Sequence, residues 1–165
     1  MIFETERLIV RKLIREDLLA FHEMQSNPNV MKYADGEVND LKAHSLELDA
    51  LISKYHSITN DFWIYAIERK ADGCFIGTVA LVKDNEDDEI GYRFLENYWG
   101  SGYATEICGA LITYCKSIGI EKLIGYVIAE NSASVKILDG YNFKVIENDV
   151  HKERQFEEIK YQLYL

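Results

Sequence analysis

With 165 residues, 48% of them apolar and 28% charged, the chain can bury one ordinary core but not two, so residues 1–165 read as one domain. Its formal charge of −10 repels phosphate backbones and anionic lipid, which argues against nucleic-acid and membrane partners and slightly favours a cationic one such as an amine. No apolar run nears the ~20 residues that cross a bilayer, and the start Met1-Ile2-Phe3-Glu4 lacks the basic opening of a signal peptide. Cys74, Cys108 and Cys115 form no C-x-x-C pair and have no histidine at ligand spacing. Three buried free thiols, no metal and a cytoplasmic location are expected.

In chain order, Arg7 to Leu13 alternates apolar and basic residues and predicts a strand. Glu16 to Met24 predicts a helix that ends before Pro28, the sole proline. Asn39 is the expected cap of a second helix carrying Leu41, Leu46, Leu48, Leu51, Ile52 and Tyr55. Phe62 to Arg69 and Cys74 to Val82, joined by Ala71-Asp72-Gly73, predict a hairpin, and Lys83 to Asp88 the next turn. Glu89 to Leu95 is a further strand, followed by a loop over Glu96 to Gly102. Tyr103 to Ser117 has helical spacing and closes at Gly119. Lys122 to Ala129 reads as a buried strand, Ser132 to Leu138 as a helix, and Phe143 to Glu147 with Glu158 to Leu165 as a closing strand pair. This order predicts an α/β fold: a mixed, mostly antiparallel sheet of about seven strands flanked by about four helices.

The densest chemical signal is Tyr98-Trp99-Gly100-Ser101-Gly102-Tyr103-Ala104-Thr105, where two glycines follow a strand and open an amphipathic helix. Glycine there lets a ligand approach the main chain, and the helix start supplies N–H groups and the positive end of a dipole, which suits a pyrophosphate without needing an arginine. A tight strand-to-helix turn explains the same glycines. The dinucleotide pattern G-x-G-x-x-G is not completed, since Thr105 stands at its last position, and no G-x-x-x-x-G-K-S/T loop is present.

Thr5-Glu6-Arg7-Leu8, Asn27 to Tyr33, Glu89-Ile90-Gly91-Tyr92-Arg93-Phe94-Leu95, Trp99 to Glu106 and Asn131-Ser132-Ala133-Ser134 occur in an order that resembles the ribosomal-protein alanine N-acetyltransferase branch of the GNAT superfamily. The resemblance runs nearly end to end. It implies a GNAT fold and acetyl-CoA as co-substrate, with the strand matching Glu89 to Leu95 splaying at a bulge. The main chain of Ile90, Gly91, Tyr92, Arg93, Phe94 and Leu95 then pairs with the pantetheine arm as an added strand does. Gly100, Ser101, Gly102, Tyr103, Ala104 and Thr105 hold the pyrophosphate, and Asn131 and Ser134 lie near the thioester. Trp99 departs from the Gln or Arg of many relatives. Leu138 stands where many members carry a tyrosine acid, which leaves Ser134 as the substitute; Tyr141 is given no catalytic role. Asn142 replaces the usual glycine of a Gly-Phe pair and tolerates the same left-handed backbone.

The implied reaction is attack of a neutral amine on a thioester, with loss of a thiolate. An α-amino group, of pKa ~8, is neutral far more often at pH 7 than a lysine amine of pKa ~10.4 and needs less help from a base. Glu89 is the candidate base, acting through water if its side chain enters the cleft, and alternation gives it a face shared with Gly91 and Arg93. A solvated glutamate at a strand edge fits the same position. Glu106 in the first helical turn reads mainly as a dipole partner. His22, His44, His56 and His151 lie on separate elements and read as surface or packing residues.

The acceptor is expected to be a primary amine: a protein N-terminus, a polyamine or another small amine. The acidic residues Glu37, Asp40, Glu47, Asp49, Asp84, Glu86, Asp87 and Asp88 lean towards a cationic one. The competing reading is a non-catalytic acyl-CoA-binding sensor. Monomer and homodimer both stay open, with Tyr161 to Leu165 as the strand that would meet a partner.

Overall fold

The structure, a computed structural model, describes residues 1–34, 39–151 and 156–165. Its strands are β1 Phe3–Glu4, β2 Leu8–Lys12, β3 Phe62–Arg69, β4 Cys74–Asp84, β5 Asp87–Phe94, β6 Lys122–Ile128, β7 Lys144–His151 and β8 Phe156–Tyr164. They form one sheet in the order β1-β2-β3-β4-β5-β6-β8-β7, antiparallel throughout except for the parallel pair β5 and β6. The helices are α1 Leu18–Ser26, α2 Pro28–Met31, α3 Leu41–Lys54, α4 Tyr103–Ser117 and α5 Ser132–Gly140. No helix among the described residues is long and apolar enough to cross a membrane.

Strand alternation divides the core in two. On one face Leu8, Val10, Ile67, Val79, Leu81, Ile90 and Phe94 pack against Ile107, Cys108, Leu111 and Cys115 of α4 and Leu138 of α5. On the other, Leu13, Ala66 and Phe75 pack with Phe21 and Met24 of α1 and Leu48 and Leu51 of α3. The sheet therefore has one helical layer on each side, and β5 lies between them at the place where strand direction changes.

Several expectations shift. α1 does end before Pro28, but Pro28 then opens α2, since a proline at the first helical position needs no N–H. The cap of α3 is Asp40 rather than Asn39: Asp40 Oδ1 accepts from the Ala43 N–H at 2.8 Å. Leu41 and Leu46 of its expected apolar stripe are exposed, while Leu48 and Leu51 carry the packing. The predicted turn over Lys83 to Asp88 shrinks to Asn85-Glu86, with Asn85 at φ 54°. Lys83 is opposite Asp88 in the ladder and pairs with it at 2.9 Å, and Lys122 pairs with Asp87, so these charges are held within strands.

Cys74 is exposed, contrary to the expectation of three buried thiols, because it lies beside the β3–β4 turn. Cys108 and Cys115 are buried, and burial pushes both thiols up to about 12. Tyr161 to Leu165 does not form the free edge: β8 runs between β6 and β7 as far as Gln162, and Tyr161 is buried. The edge strand is β7, on which Val145, Ile146 and Val150 are exposed. Glu37 lies outside the described residues, as does the side chain of His151.

Candidate active site

The glycine turn has the geometry its sequence implies. Gly100 and Gly102 take φ values of +71° and +79°, and a Cβ at Gly100 would meet nothing within 4 Å. An L side chain would be strained at either position and would cover the open face. Gly102 caps α4 without any side-chain hydrogen bond, and the first helical bond is Glu106 N–H to the Gly102 carbonyl at 3.1 Å. The N–H groups of residues 100–105 meet no acceptor among the described residues. Six successive unused donors at the positive end of a 15-residue helix could hold an anion.

Sequence reasoning missed the arginine beside this turn. Arg7 donates from Nη1 to the Ser101 carbonyl at 3.0 Å, and its guanidinium lies 4.4 Å from the centre of the Tyr103 ring. Arg7 Nε also pairs with Glu106 Oε2 at 2.6 Å, while Glu106 Oε1 accepts from the Arg7 main chain at 3.0 Å and from Thr5 Oγ1. Glu106 thus ties the start of β2 to the start of α4, more than a dipole partner alone. The signal was Thr5-Glu6-Arg7-Leu8, separated from the turn by too much sequence for spacing to connect them.

β5 and β6 pair only at Asp88 with Leu123 and Glu89 with Ile124, then part. The expected bulge is absent from β5, whose ladder with β4 stays in register through Phe94. The Arg93 carbonyl is directed at Gly77 of β4, where any Cβ would overlap it, whereas the Ile90 carbonyl faces Gly125 of β6. Leu95 N–H donates to the Ile76 carbonyl at 3.0 Å. Alternation therefore turns the main chains of Ile90, Tyr92 and Phe94 to the gap, and those of Gly91, Arg93 and Leu95 to β4. Half of the residues expected to pair with a pantetheine arm have their main chains committed elsewhere. The Phe94 carbonyl accepts from Trp99 Nε1 at 3.0 Å, which gives the departing Trp99 a local anchoring role.

On the α4–α5 side of the gap stand Tyr92 and Ser134. Asn131 caps α5, its Oδ1 accepting from the Ser134 N–H at 3.2 Å, and its Nδ2 donates to nothing among the described residues. The Tyr92 hydroxyl is buried and completes no hydrogen bond among the described residues. Burial pushes this phenol up, Cys108 adds to the shift, and the neighbouring Ser134 hydroxyl pulls the other way without reaching full hydrogen-bond geometry. An orphaned buried hydroxyl beside Ser134, together with six free N–H groups at the start of α4, could serve an extended ligand with amide, carbonyl and phosphate groups. Leu138, where the resemblance implied a missing tyrosine acid, is 3% exposed and packs in the core. Tyr141 donates to the Thr105 carbonyl at 2.8 Å and covers Gly109, and Asn142 takes φ +63° as expected of a glycine substitute.

The opposite face of β5 borders a cavity of about 430 Å³ between the sheet and the helices α1 and α3. Glu89, Gly91 and Arg93 line it, which settles the face that alternation left open. Burial raises the Glu89 pKa, Asp84 and Glu158 add to the rise, and Lys160 opposes it. Glu89 and Ser134 do not meet: they lie on opposite sides of the sheet, with the β5–β6 gap between them. His22 and His44 lie on the separate helices α1 and α3, as expected, and approach at 2.7 Å through their Nδ1 atoms. His44 is 2% exposed, and burial lowers its pKa. One of the two nitrogens must carry the shared proton, so the pair bridges α1 and α3 through a hydrogen bond.

The model of the Acetyltransferase (GNAT) domain matches residues 7–144, so the chain belongs to the GNAT family. It is an acetyl-CoA-dependent N-acetyltransferase, and the non-catalytic alternative finds no support. It is 28% identical over 142 residues to the uncharacterized N-acetyltransferase YoaA of Bacillus subtilis, covering 83% of this chain and 79% of that protein. The fold matches RimL, a ribosomal L7/L12 alpha-N-protein acetyltransferase solved with coenzyme A. The TM-score there is 0.86 at 16% identity, over 99% of this chain and 97% of the other. It also matches the spermidine N-acetyltransferase of Vibrio cholerae solved with coenzyme A and spermine, at TM-score 0.82 and 21% identity over 97% and 96% of the two chains.

Proposed function

We propose that residues 1–165 act as one domain that moves an acetyl group from acetyl-CoA to a primary amine by direct attack, donor and acceptor entering from opposite faces of β5. The observation that carries this reading is the β5–β6 gap, which opens the sheet between the free N–H groups of the glycine turn and the cavity holding Glu89. Bound acetyl-CoA supplies the activated acyl carbonyl. Residues 100–105 hold its pyrophosphate through main-chain donors, the free groups of Ile90 and Tyr92 flank its arm, and Asn131 Nδ2 is a further donor beside it. Phe94 contributes packing in the α4-side core.

The amine nitrogen bonds to the acetyl carbon as the carbon–sulfur bond breaks. Glu89, through a water, takes the proton that the amine loses, and its raised pKa brings it closer to the range where a base works near neutrality. The sulfur leaves as thiolate. A thiol pKa near ~8.5 makes this group leave without a strong acid, so hydrogen-bond donation from Ser134 suffices in place of the absent tyrosine. An acceptor that arrives as an ammonium must shed a proton before attack.

Release of free thiol from acetyl-CoA, followed over protein N-terminal peptides, polyamines and small amines, tests the reading alongside thermal unfolding with acetyl-CoA. A ligand-dependent rise in Tm with thiol release on one acceptor class is the expected result. Saturating acetyl-CoA without any rise in Tm would remove the donor site and the mechanism with it.

A further inference from the structure

The acceptor cavity contains a cation that catalysis does not use. Arg93 points its side chain into the space between β5, α1 and α3. Among the described residues it makes one hydrogen bond, from Nη1 to Gln25 Oε1, and no ion pair. Gln25 in turn donates from Nε2 to Glu47 Oε1 at 3.2 Å, so the Glu47 carboxylate is separated from the guanidinium by a neutral amide. Burial lowers the Arg93 pKa, with Glu47 acting against it, and the guanidinium keeps its charge at any physiological pH.

A guanidinium carries five N–H donors in a planar fork, and one is used here. Much of the surrounding wall is apolar, including Phe21, Met24, Met31, Leu51 and Ile64. Leaving a charge in such a wall without a counter-ion is costly, and the cost falls when an anion of matching geometry enters. Gly91 stands between Arg93 and Glu89 on the same face of β5, and its missing side chain leaves the floor open from one to the other. The Cα positions of Glu89 and Arg93 lie about 13 Å apart along the strand, and both side chains reach into the space between them.

We propose that Arg93 is the specificity residue of the acceptor site and that the acceptor is a primary amine bearing a carboxylate. The carboxylate sits on the Arg93 fork while the amine lies by Gly91 and Glu89. This rests on the acetyl-transfer reading above and narrows its acceptor to a zwitterion. Glu89 then faces the amine end, and the buried arginine selects the other end. A polyamine would bring a second cation to Arg93 and is disfavoured.

The test compares amino acids, ω-amino acids and short peptides, each beside its own carboxamide, with spermidine as the cationic control. Thiol release and thermal shift in the presence of coenzyme A are both read, for the wild type, Arg93→Met and Arg93→Lys. The wild type should prefer at least one carboxylate acceptor over its carboxamide on the order of 10- to 100-fold in kcat/KM. Arg93→Met should collapse that ratio towards one, chiefly through KM, and Arg93→Lys should restore only part of it because the fork is lost. Unliganded melting of each variant shows that it folds. Equal or better use of carboxamides or spermidine overturns the proposal, as does a ratio unchanged in Arg93→Met. A wild type that binds coenzyme A but is neither active on nor stabilised by any carboxylate-bearing amine overturns it too. Failure of acetyl-CoA itself to shift Tm is the distinct result that removes the underlying transfer reading.

Discussion

The two faces of β5 are built by different means. On the α4 side, the proposed donor site is mostly main chain: N–H groups of residues 100–105, the turned-out edge of Ile90 and Tyr92, and two glycines that keep the approach clear. On the α1–α3 side, the proposed acceptor site consists of side chains brought from distant segments, with Gln25, His44, Glu47, Glu89 and Arg93 around one cavity. A main-chain site accepts many side-chain sequences as long as the turn is preserved. A side-chain site can be rebuilt for a new acceptor by a few substitutions. The difference accounts for how one scaffold keeps its donor while its acceptors diverge, as the names of its structural neighbours illustrate.

Gly102→Trp should give the largest effect, because the position needs φ +79° and a side chain would cover the unused N–H groups. The acetyl-CoA-dependent rise in Tm should disappear, with the unliganded fold kept. Next, Glu89→Gln should lower kcat on the order of 100-fold while leaving that Tm rise in place, separating the two faces. Its stability effect has a definite sign. The folded pKa of Glu89 is raised, so the stabilising contribution of the protonated form is present at acid pH and lost as pH rises through the folded pKa. Glu89→Gln should therefore melt above the wild type at pH 8, and the gap should close as pH falls to about 4.

Gly77→Ala tests the partition of β5 itself. Its Cβ would overlap the Arg93 carbonyl, so β4 and β5 must separate, with a loss of about 1–3 kcal/mol in denaturant unfolding. The smallest effect belongs to Tyr92→Phe. Removing a buried hydroxyl that completes no hydrogen bond should leave unliganded stability unchanged or raise it by about 1 kcal/mol, while titration with coenzyme A shows a several-fold weaker Kd.

The same contrast governs what could be read from the sequence. Phe62–Arg69 and Tyr103–Ser117 were predicted with the bounds they have, because each has a strong period and a glycine turn nearby. The glycine pair at 100 and 102 announces its backbone requirement within three residues. Short pieces escaped: β1 has two residues, α2 has four, and neither carries enough periodicity to stand out. The Asn85-Glu86 turn was overestimated because Lys83, Asp87 and Asp88 look like loop residues until their partners across the ladder are known. Arg7 beside Ser101, His22 against His44 and Arg93 against Gln25 join residues separated by long stretches of chain. No local pattern encodes those meetings, so the acceptor face was the less legible half.

Amide hydrogen exchange with and without acetyl-CoA tests the division of β5 most directly. The N–H groups of residues 100–105 meet no acceptor among the described residues and should exchange fast, then gain strong protection with Tyr92 on binding, while α1 and α3 remain unchanged. Protection appearing instead around α1 and α3, with residues 100–105 still exchanging freely, would contradict the assignment of donor and acceptor to opposite faces.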